Sequence, residues 1–383
     1  MPLTSYNPSA PQTGAAANQT TRPGHPEVAN SARESTPQTG TAASPPGVAE
    51  VHVKSDAKHR NREIERIFDL VRSDFNAVND LITRQLTSDV ELVEAIGRYI
   101  VDSGGKRLRP LIVLVAARCC GYAEENHVRL AAIIEFLHTA TLLHDDVVDR
   151  SGLRRGRPTV NAKWGNPPSI LVGDFLYSRA FQLMVELESM DIMAILADAT
   201  NVIAEGEVLQ LANIGNTELS EALYFDVIRS KTAMLFQAAS HSAAVLATDD
   251  ADSISRLRLY GLHFGMAYQL VDDWLDYAGD AEVMGKNVGD DLAEGKATLP
   301  LIYAMANGAE AERQLIRDAL RSKCSDQLEA VCVAVTRSGA LEYTREQAQV
   351  QSNLALDAVL GLPANEYRDA LEDLTRAAIG RIN

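Results

Sequence analysis

Two short acidic runs in the chain share one spacing. Asp145, Asp146 and Asp149 lie in "LLHDDVVDR", and Asp272, Asp273 and Asp276 lie in "YQLVDDWLDYAGD". Helix residues four apart differ by about 40° in azimuth. Asp145 therefore shares a face with Asp149, and Asp272 with Asp276, while Asp273 falls further round. A lone DDxxD is as often a solvated helix face as a ligand set. These two are embedded in apolar sequence, where carboxylates seldom sit without a partner. If the two helices face each other, their like charges repel unless cations lie between them. Hard oxygen donors with no cysteine nearby suit Mg²⁺, which commonly bridges carboxylates to substrate phosphates. The expected metal ligands are Asp145, Asp149, Asp272 and Asp276.

Other polar residues fall in register with these acids. His138 precedes Asp145 by seven residues and Asp149 by eleven, so all three fall in one narrow helical stripe. Gln269 precedes Asp273 by four and Asp276 by seven. Basic residues gather in small sets near turns. Lys106 and Arg109 follow Gly104-Gly105 at what reads as a helix start, where free N–H groups attract anions. Arg154 and Arg155 follow the first acidic run, Lys231-Thr232 opens an apolar stretch, and Lys286 and Lys296 follow the second run with Asp290-Asp291 between them. The ordinary reading of a basic residue is surface solubility. It is weakest for Arg154, Arg155 and Lys231, at the ends of the helices in question, and strongest for Lys296 and Arg157. Acid cages with separate basic sets imply two phosphate-bearing substrates. One is metal-bound and primed to lose its leaving group, and the other is held by Lys and Arg alone.

Positioning these groups requires helices. From about residue 62 onward, apolar residues recur at intervals of three and four, Ala, Leu and Glu dominate, and Gly and Pro punctuate the segments. No alternating strand with a hairpin signal is evident. Residues 61–383 therefore read as an all-α domain, one large bundle of about a dozen helices around a central cavity. Residues 1–60 differ: the first fifty hold eight of the fourteen prolines, and PQTG occurs twice. Such a stretch cannot bury enough apolar surface to fold and reads as a disordered tail. Only Arg22 and Arg33 occur before residue 60, too few for an amphipathic presequence, and the prolines are too many. No run of about 20 apolar residues predicts a membrane span, and no apolar segment follows Met1 as a secretory signal would. The four cysteines include no CxxC pair, which fits a reduced cytoplasm. A net charge of −16 argues against nucleic acid as a partner.

The combination of motifs resembles the trans-isoprenyl diphosphate synthases. It consists of GGKRxRP, then DDxxD after a leucine-rich helix, then RRG, then a second DDxxD followed by GK…GDD. The resemblance covers about 62–383, and runs such as "IEFLHTATLLHDDVVD" and "NVIAEGEVLQL" look especially like the octaprenyl diphosphate synthases, which make a quinone side chain. It implies head-to-tail prenyl transfer, usually by a homodimer. Asp145, Asp149 and the second cluster, led by Asp272, would hold Mg²⁺ on an allylic diphosphate (farnesyl or geranylgeranyl). Arg154, Lys231, Thr232, Gln269 and Lys286 would contact that diphosphate. Lys106, Arg109, His138 and Arg155 would hold isopentenyl diphosphate. No dedicated general base is evident, and in the family the departed diphosphate is thought to take the proton. The resemblance also implies that the positions four and five before the first aspartate, Thr141 and Ala140, gate a product tunnel. Both are small, so a long product is expected, with Met184 and Leu196 as candidates for the tunnel floor. A shorter-chain synthase and a class I terpene cyclase are the alternatives. The second aspartate cluster speaks against the cyclase.

Overall fold

The computed structural model describes residues 64–278, 288–323 and 325–382. The tail expected at 1–60 and the substrate-binding role expected for Lys286 lie outside them. The described residues are almost entirely helical, as expected. A helical lead-in at 64–70 is followed by α1 (Arg72–Gln85), α2 (Glu91–Asp102), α3 (Leu108–Cys119) and α4 (Asn126–Val148). A hairpin of β1 (Leu153–Arg154) and β2 (Arg157–Pro158) leads to α5 (Val160–Trp164), α6 (Asn166–Glu186), α7 (Met190–Ala212) and α8 (Glu221–Ile228). One π-helical turn, Arg229–Ala233, joins α8 to α9 (Met234–Ala247), and α10 (Ala251–Ala278) follows. The remainder is α11 (Asp290–Glu294), α12 (Leu299–Asn307), α13 (Glu310–Ser322), α14 (Leu328–Arg337), α15 (Ala340–Leu360) and α16 (Glu366–Ile379).

Local chemistry sets the helix ends. Thr159, Ser189, Ser220 and Asn365 each accept a backbone N–H from the first turn of α5, α7, α8 and α16. Pro167-Pro168 occupies the start of α6, where a missing N–H costs nothing. The helix α3 is apolar and buried all round, the mark of a helix at the centre of a bundle. It packs on α4 and α9, α4 packs along α6, and α10 lies between α9 and α15. One core cluster draws on α1 to α7, α9, α15 and α16, and a second on α8, α11 to α15 and the end of α16. The helix α10 contributes to both, its N-terminal half to the first and its C-terminal half to the second.

Two expectations need correction. Among the described residues, sixteen helices follow the lead-in where about a dozen were expected, because five-residue segments such as α5 and α11 lack the length to show a period. The segment expected to contain no strand forms an antiparallel hairpin with Leu153 opposite Pro158 and Arg154 opposite Arg157. Its two central residues, Arg155 (φ 55°) and Gly156 (φ 72°), are both left-handed, as a two-residue type I′ turn requires.

Candidate active site

Both acidic runs open onto one cavity of about 760 Å³. Asp145 and Asp149, at the C-terminal end of α4, line it together with Asp272 and Asp273 of α10 and Asp290, Asp291 and Glu294 of α11. The second run is rotated relative to expectation. Asp276 does not line the cavity but is buried, where its Oδ2 accepts the Asp291 N–H (3.2 Å) and its carbonyl accepts the Gly289 N–H (3.0 Å). The acid presented in its place is Asp273. Its Oδ2 accepts from the Tyr224 hydroxyl (2.5 Å), and its Oδ1 accepts from Gln269 Nε2 (2.7 Å), while Gln269 Oε1 accepts from the Thr232 hydroxyl (2.9 Å). Burial pushes the Asp273 carboxyl up to about 8, aided by the Asp291 charge and opposed by these hydrogen bonds. Asp146 also turns from the cavity and accepts two hydrogen bonds from Arg154 (2.9 and 2.7 Å).

Cationic side chains reach the acids from three elements. Lys231, on the π-helical turn, lies 2.7 Å from Glu207 and 3.8 Å from Asp145. A π-turn inserts one extra residue, and such turns often mark functional sites; here Lys231 and Thr232 both line the cavity. Gly206 of α7 makes this approach possible, because a Cβ there would sit 2.7 Å from Ser230 Cβ and 3.0 Å from the Lys231 nitrogen. Lys296, expected to be an ordinary surface residue, is mostly buried and lies 2.8 Å from Asp149 and 2.6 Å from Glu294. Burial depresses its ammonium, but Glu294 and Asp149 more than offset this and raise it. Burial also raises the Asp145 carboxyl, which Lys231 opposes and Asp149 reinforces.

The expected isopentenyl-binding set, Lys106, Arg109, His138 and Arg155, lines the same cavity. Arg109 enters from the first turn of α3, lies 4.1 Å over the Phe236 ring and places Nη1 3.2 Å from His138 Nε2. A guanidinium only donates, so Nε2 accepts and the imidazole proton sits on Nδ1. Burial and the charges of Arg109, Arg155 and Arg154 hold His138 well below its usual range, so it is neutral. Burial lowers the Lys106 ammonium, and the nearby Arg381 guanidinium lowers it further. Arg155 donates to the Gly104 carbonyl, and its guanidinium covers Gly105, whose φ of 144° and lack of a side chain leave room for it. Arg157, also expected at the surface as an ordinary residue, donates to the Asp102 carbonyl (2.8 Å). The Tyr99 hydroxyl donates to the Pro158 carbonyl (2.7 Å). The hairpin is thus tied to the glycine loop and to α2.

Thr141, Leu142, Ile203, Leu235 and Tyr268 supply an apolar stretch of cavity wall. The expected gate and floor residues fall in two environments. Thr141 lines the cavity, but Ala140 is fully buried in the core, as are Met184 and Leu196. Sequence reasoning did not single out Glu207, Tyr224 or Arg381, all of which line the cavity. Arg381 lies 3.9 Å from Asp272, and its guanidinium lies over the Tyr268 ring. Glu207 could have been found as the residue after a glycine within an apolar helix. Nothing in the sequence marks Arg381, which lies more than one hundred residues from Asp272 along the chain.

Among the described residues, no three His, Cys, Asp or Glu side chains close on a common point. The acid wall nevertheless offers only carboxylate oxygens, a donor set that fits a hard divalent cation.

Comparison with known proteins agrees with this geometry. Residues 90–335 match the family profile described as polyprenyl synthetase. The chain is 48% identical over 319 residues to octaprenyl diphosphate synthase of Escherichia coli K12, covering 83% of this chain and 99% of that protein. It is also 48% identical to a geranyl-diphosphate-specific all-trans-nonaprenyl-diphosphate synthase of Rhodobacter capsulatus, covering 82% of this chain and 96% of that one. Among solved structures, a polyprenyl synthase from Caulobacter crescentus CB15, complexed with calcium and isoprenyl diphosphate, superimposes with a TM-score of 0.80 at 46% identity, covering 83% of this chain and 97% of that one. The chain belongs to the polyprenyl synthetase family and is a prenyltransferase.

Proposed function

We propose that this chain builds a long trans-polyprenyl diphosphate, of octaprenyl length, by adding isopentenyl diphosphate head-to-tail to an allylic diphosphate such as farnesyl diphosphate, and that the product supplies a quinone side chain. The observation that carries this is one cavity with a carboxylate wall on one side, a cluster of Lys, Arg and neutral His on another, and an apolar stretch between them. The octaprenyl and nonaprenyl relatives favour a long product over a short one.

The carboxylates of Asp145, Asp149 and Asp272 would hold Mg²⁺, with Asp273 beside them and Asp276 keeping α11 in place. Bound Mg²⁺ would neutralise charge on the departing diphosphate. Lys231 and Arg154 add donors on the same side, with Lys296 as a further donor and Thr232, held by Gln269, beside them. In the reaction the allylic C–O bond breaks, a C–C bond forms to the isopentenyl double bond, and a proton leaves. Lys106, Arg109, His138 and Arg155 hold the second diphosphate away from the ionising carbon. The growing chain would leave past Thr141, Ile203 and Leu235. Leu196 lies seven residues before Ile203 on α7, two turns or about 10 Å deeper on the same face, which keeps it in contention as a floor.

Exposed Ile170, Leu171, Phe181 and Val185 on α6, with Met190, Val208 and Leu211 on α7, support a homodimer through this face. No helix among the described residues is long and apolar enough to cross a membrane, and we place the enzyme in the cytoplasm. Incubating the purified chain with isopentenyl and farnesyl diphosphates plus Mg²⁺ and weighing the product by mass spectrometry tests the activity. A cyclised hydrocarbon, free phosphate alone, or a product that stops at geranylgeranyl would refute it.

A further inference from the structure

Behind the basic cluster lies an ion pair that does not reach the main cavity. Arg107 sits between Lys106 and the first turn of α3, with φ at 42°, one of the few residues other than glycine in the left-handed region. A side chain that size stays there only when its contacts hold it. Its backbone turn leaves Lys106 and Arg109 facing the cavity while Arg107 points away from it. There its Nη1 donates to Asn79 Oδ1 of α1 (2.9 Å), and its Nε lies 3.9 Å from Glu135 Oε1. Glu135 is on α4, three residues before His138, and its carboxylate feels Arg107, Arg109 and Arg155 together. Its Oε2 is buried and has no hydrogen-bond partner among the described residues. A separate cavity of about 90 Å³, lined by both residues, lies on this side of α4.

We propose that Glu135 and Arg107 form a positioning pair that fixes Lys106, Arg109 and Arg155 as a receptor for the diphosphate of the incoming isoprene unit, without touching that substrate. Four cations crowded at one place repel one another. A carboxylate set behind them offsets that repulsion from a position the substrate does not occupy. Arg107 ties this carboxylate to α1 and also fixes the turn that aims its two neighbours. The proposal rests on the function proposed above and deepens it by separating the two substrates. The acid wall, where the allylic diphosphate is placed, has no part in the pair.

The test is a double-mutant cycle of Glu135→Gln and Arg107→Ala, with the Michaelis constants of both substrates measured separately. Each single variant is expected to raise KM for isopentenyl diphosphate about tenfold, with kcat and the KM for farnesyl diphosphate within about twofold of the parent. The double variant is expected to be no worse than the poorer single one, because either change breaks the same pair. Equal rises in both KM values, or single effects that multiply in the double variant, would overturn the proposal. So would lowered melting temperatures with both KM values unchanged. Should Arg107→Ala or Glu135→Gln fail to accumulate folded, Arg107→Lys carries the same readout. It keeps the charge but not the fork that reaches Asn79 and Glu135 together, and an unchanged isopentenyl KM would sink the idea. Parent protein that does not elongate at all would refute the proposed function instead, so the two failures are distinguishable.

Discussion

Gly206 offers the sharpest test of how the acid wall is built. It lies on α7 directly before Glu207, against the π-helical turn that carries Lys231. An alanine Cβ there would meet Ser230 Cβ at 2.7 Å, the Lys231 nitrogen at 3.0 Å and the Ser230 carbonyl carbon at 3.2 Å. Two of these are backbone atoms, so no rotamer change relieves the contact. Carbon atoms pack at about 3.5 Å, so α7 and the turn must separate by about 0.8 Å. The Lys231–Glu207 contact of 2.7 Å would then open to the edge of hydrogen-bonding distance. Overpacking of this kind costs about 1–3 kcal/mol, or a few degrees in melting temperature for a domain of this size. A misplacement near 1 Å at a reacting centre costs up to about 10²-fold in rate. Gly206→Ala is therefore expected to fold, to melt a few degrees lower and to lose about ten- to a hundredfold in kcat. Calorimetry and single-turnover elongation, which reads the chemical step without product release, would measure both. A variant with parental melting temperature and parental single-turnover rate would show that the close approach does not position Lys231.

Thr141→Phe is expected to shorten the product, read by mass spectrometry, whereas Ala140→Phe, buried off the cavity, is expected mainly to lower the melting temperature. Lys296→Met leaves Asp149 and Glu294 without the ammonium they share, and is expected to cut kcat/KM for the allylic substrate at least about tenfold, since unpairing buried charges costs about 3–5 kcal/mol. Burial alone would raise the Asp74 carboxyl on α1, but the hydrogen bonds from Arg118 and the nearby His127 lower it. Its stabilising effect is therefore present above the unfolded value of 3.8 and is lost as pH falls through the lower folded value. In denaturant titrations Asp74→Asn is expected to be about 1–3 kcal/mol less stable at neutral pH, the gap closing in acid, with activity intact.

The helices were legible because periodicity and caps agree across long segments, and α10 could be read from "YQLVDDWLDY" and its flanks. What periodicity cannot supply is the rotation of a helix in its socket. Azimuth placed Asp272 with Asp276, yet the run sits where α11 folds back on it, so Asp276 meets α11 and Asp273 is brought to the cavity. Ala140 and Thr141 illustrate the same limit, since adjacent residues differ by about 100°, and here Thr141 faces the cavity while Ala140 faces the core. Lys296 was misread because its nearest acid in sequence, Glu294, looks like a surface partner. Asp149, 147 residues away, makes the site. The Arg155–Gly156 turn has no flanking strand signal in the sequence, because the strands it joins are two residues long.

The arrangement of charge within the cavity implies that the two diphosphates differ in their need for a divalent cation. On the acid wall, among the described residues, Asp145, Asp149, Glu207, Asp272, Asp273, Asp290, Asp291 and Glu294 line the cavity with Lys231, Lys296, Arg154 and Arg381 among them. Each of these four cations already lies 3.9 Å or less from a carboxylate. A bare diphosphate gains little there, because each new contact competes with an existing ion pair. Across the cavity Lys106, Arg109 and Arg155 outnumber the carboxylates that act on them, Glu135 and, for Lys106, Asp272, and keep a net positive charge. The overall charge of −16 does not cancel this, because screening limits exposed charges to about 8 Å at physiological salt. Isopentenyl diphosphate is therefore expected to bind with similar affinity in Mg²⁺ and in EDTA. A non-ionising thiolo analogue of farnesyl diphosphate is expected to weaken by about a hundredfold or more in EDTA, since pairing each added unit of positive charge with phosphate in a partly buried site is worth about 1.5–3 kcal/mol. Isothermal calorimetry with each ligand alone would measure the difference. Equal loss of affinity for both ligands on chelation would mean that the walls do not divide the substrates as their charges suggest.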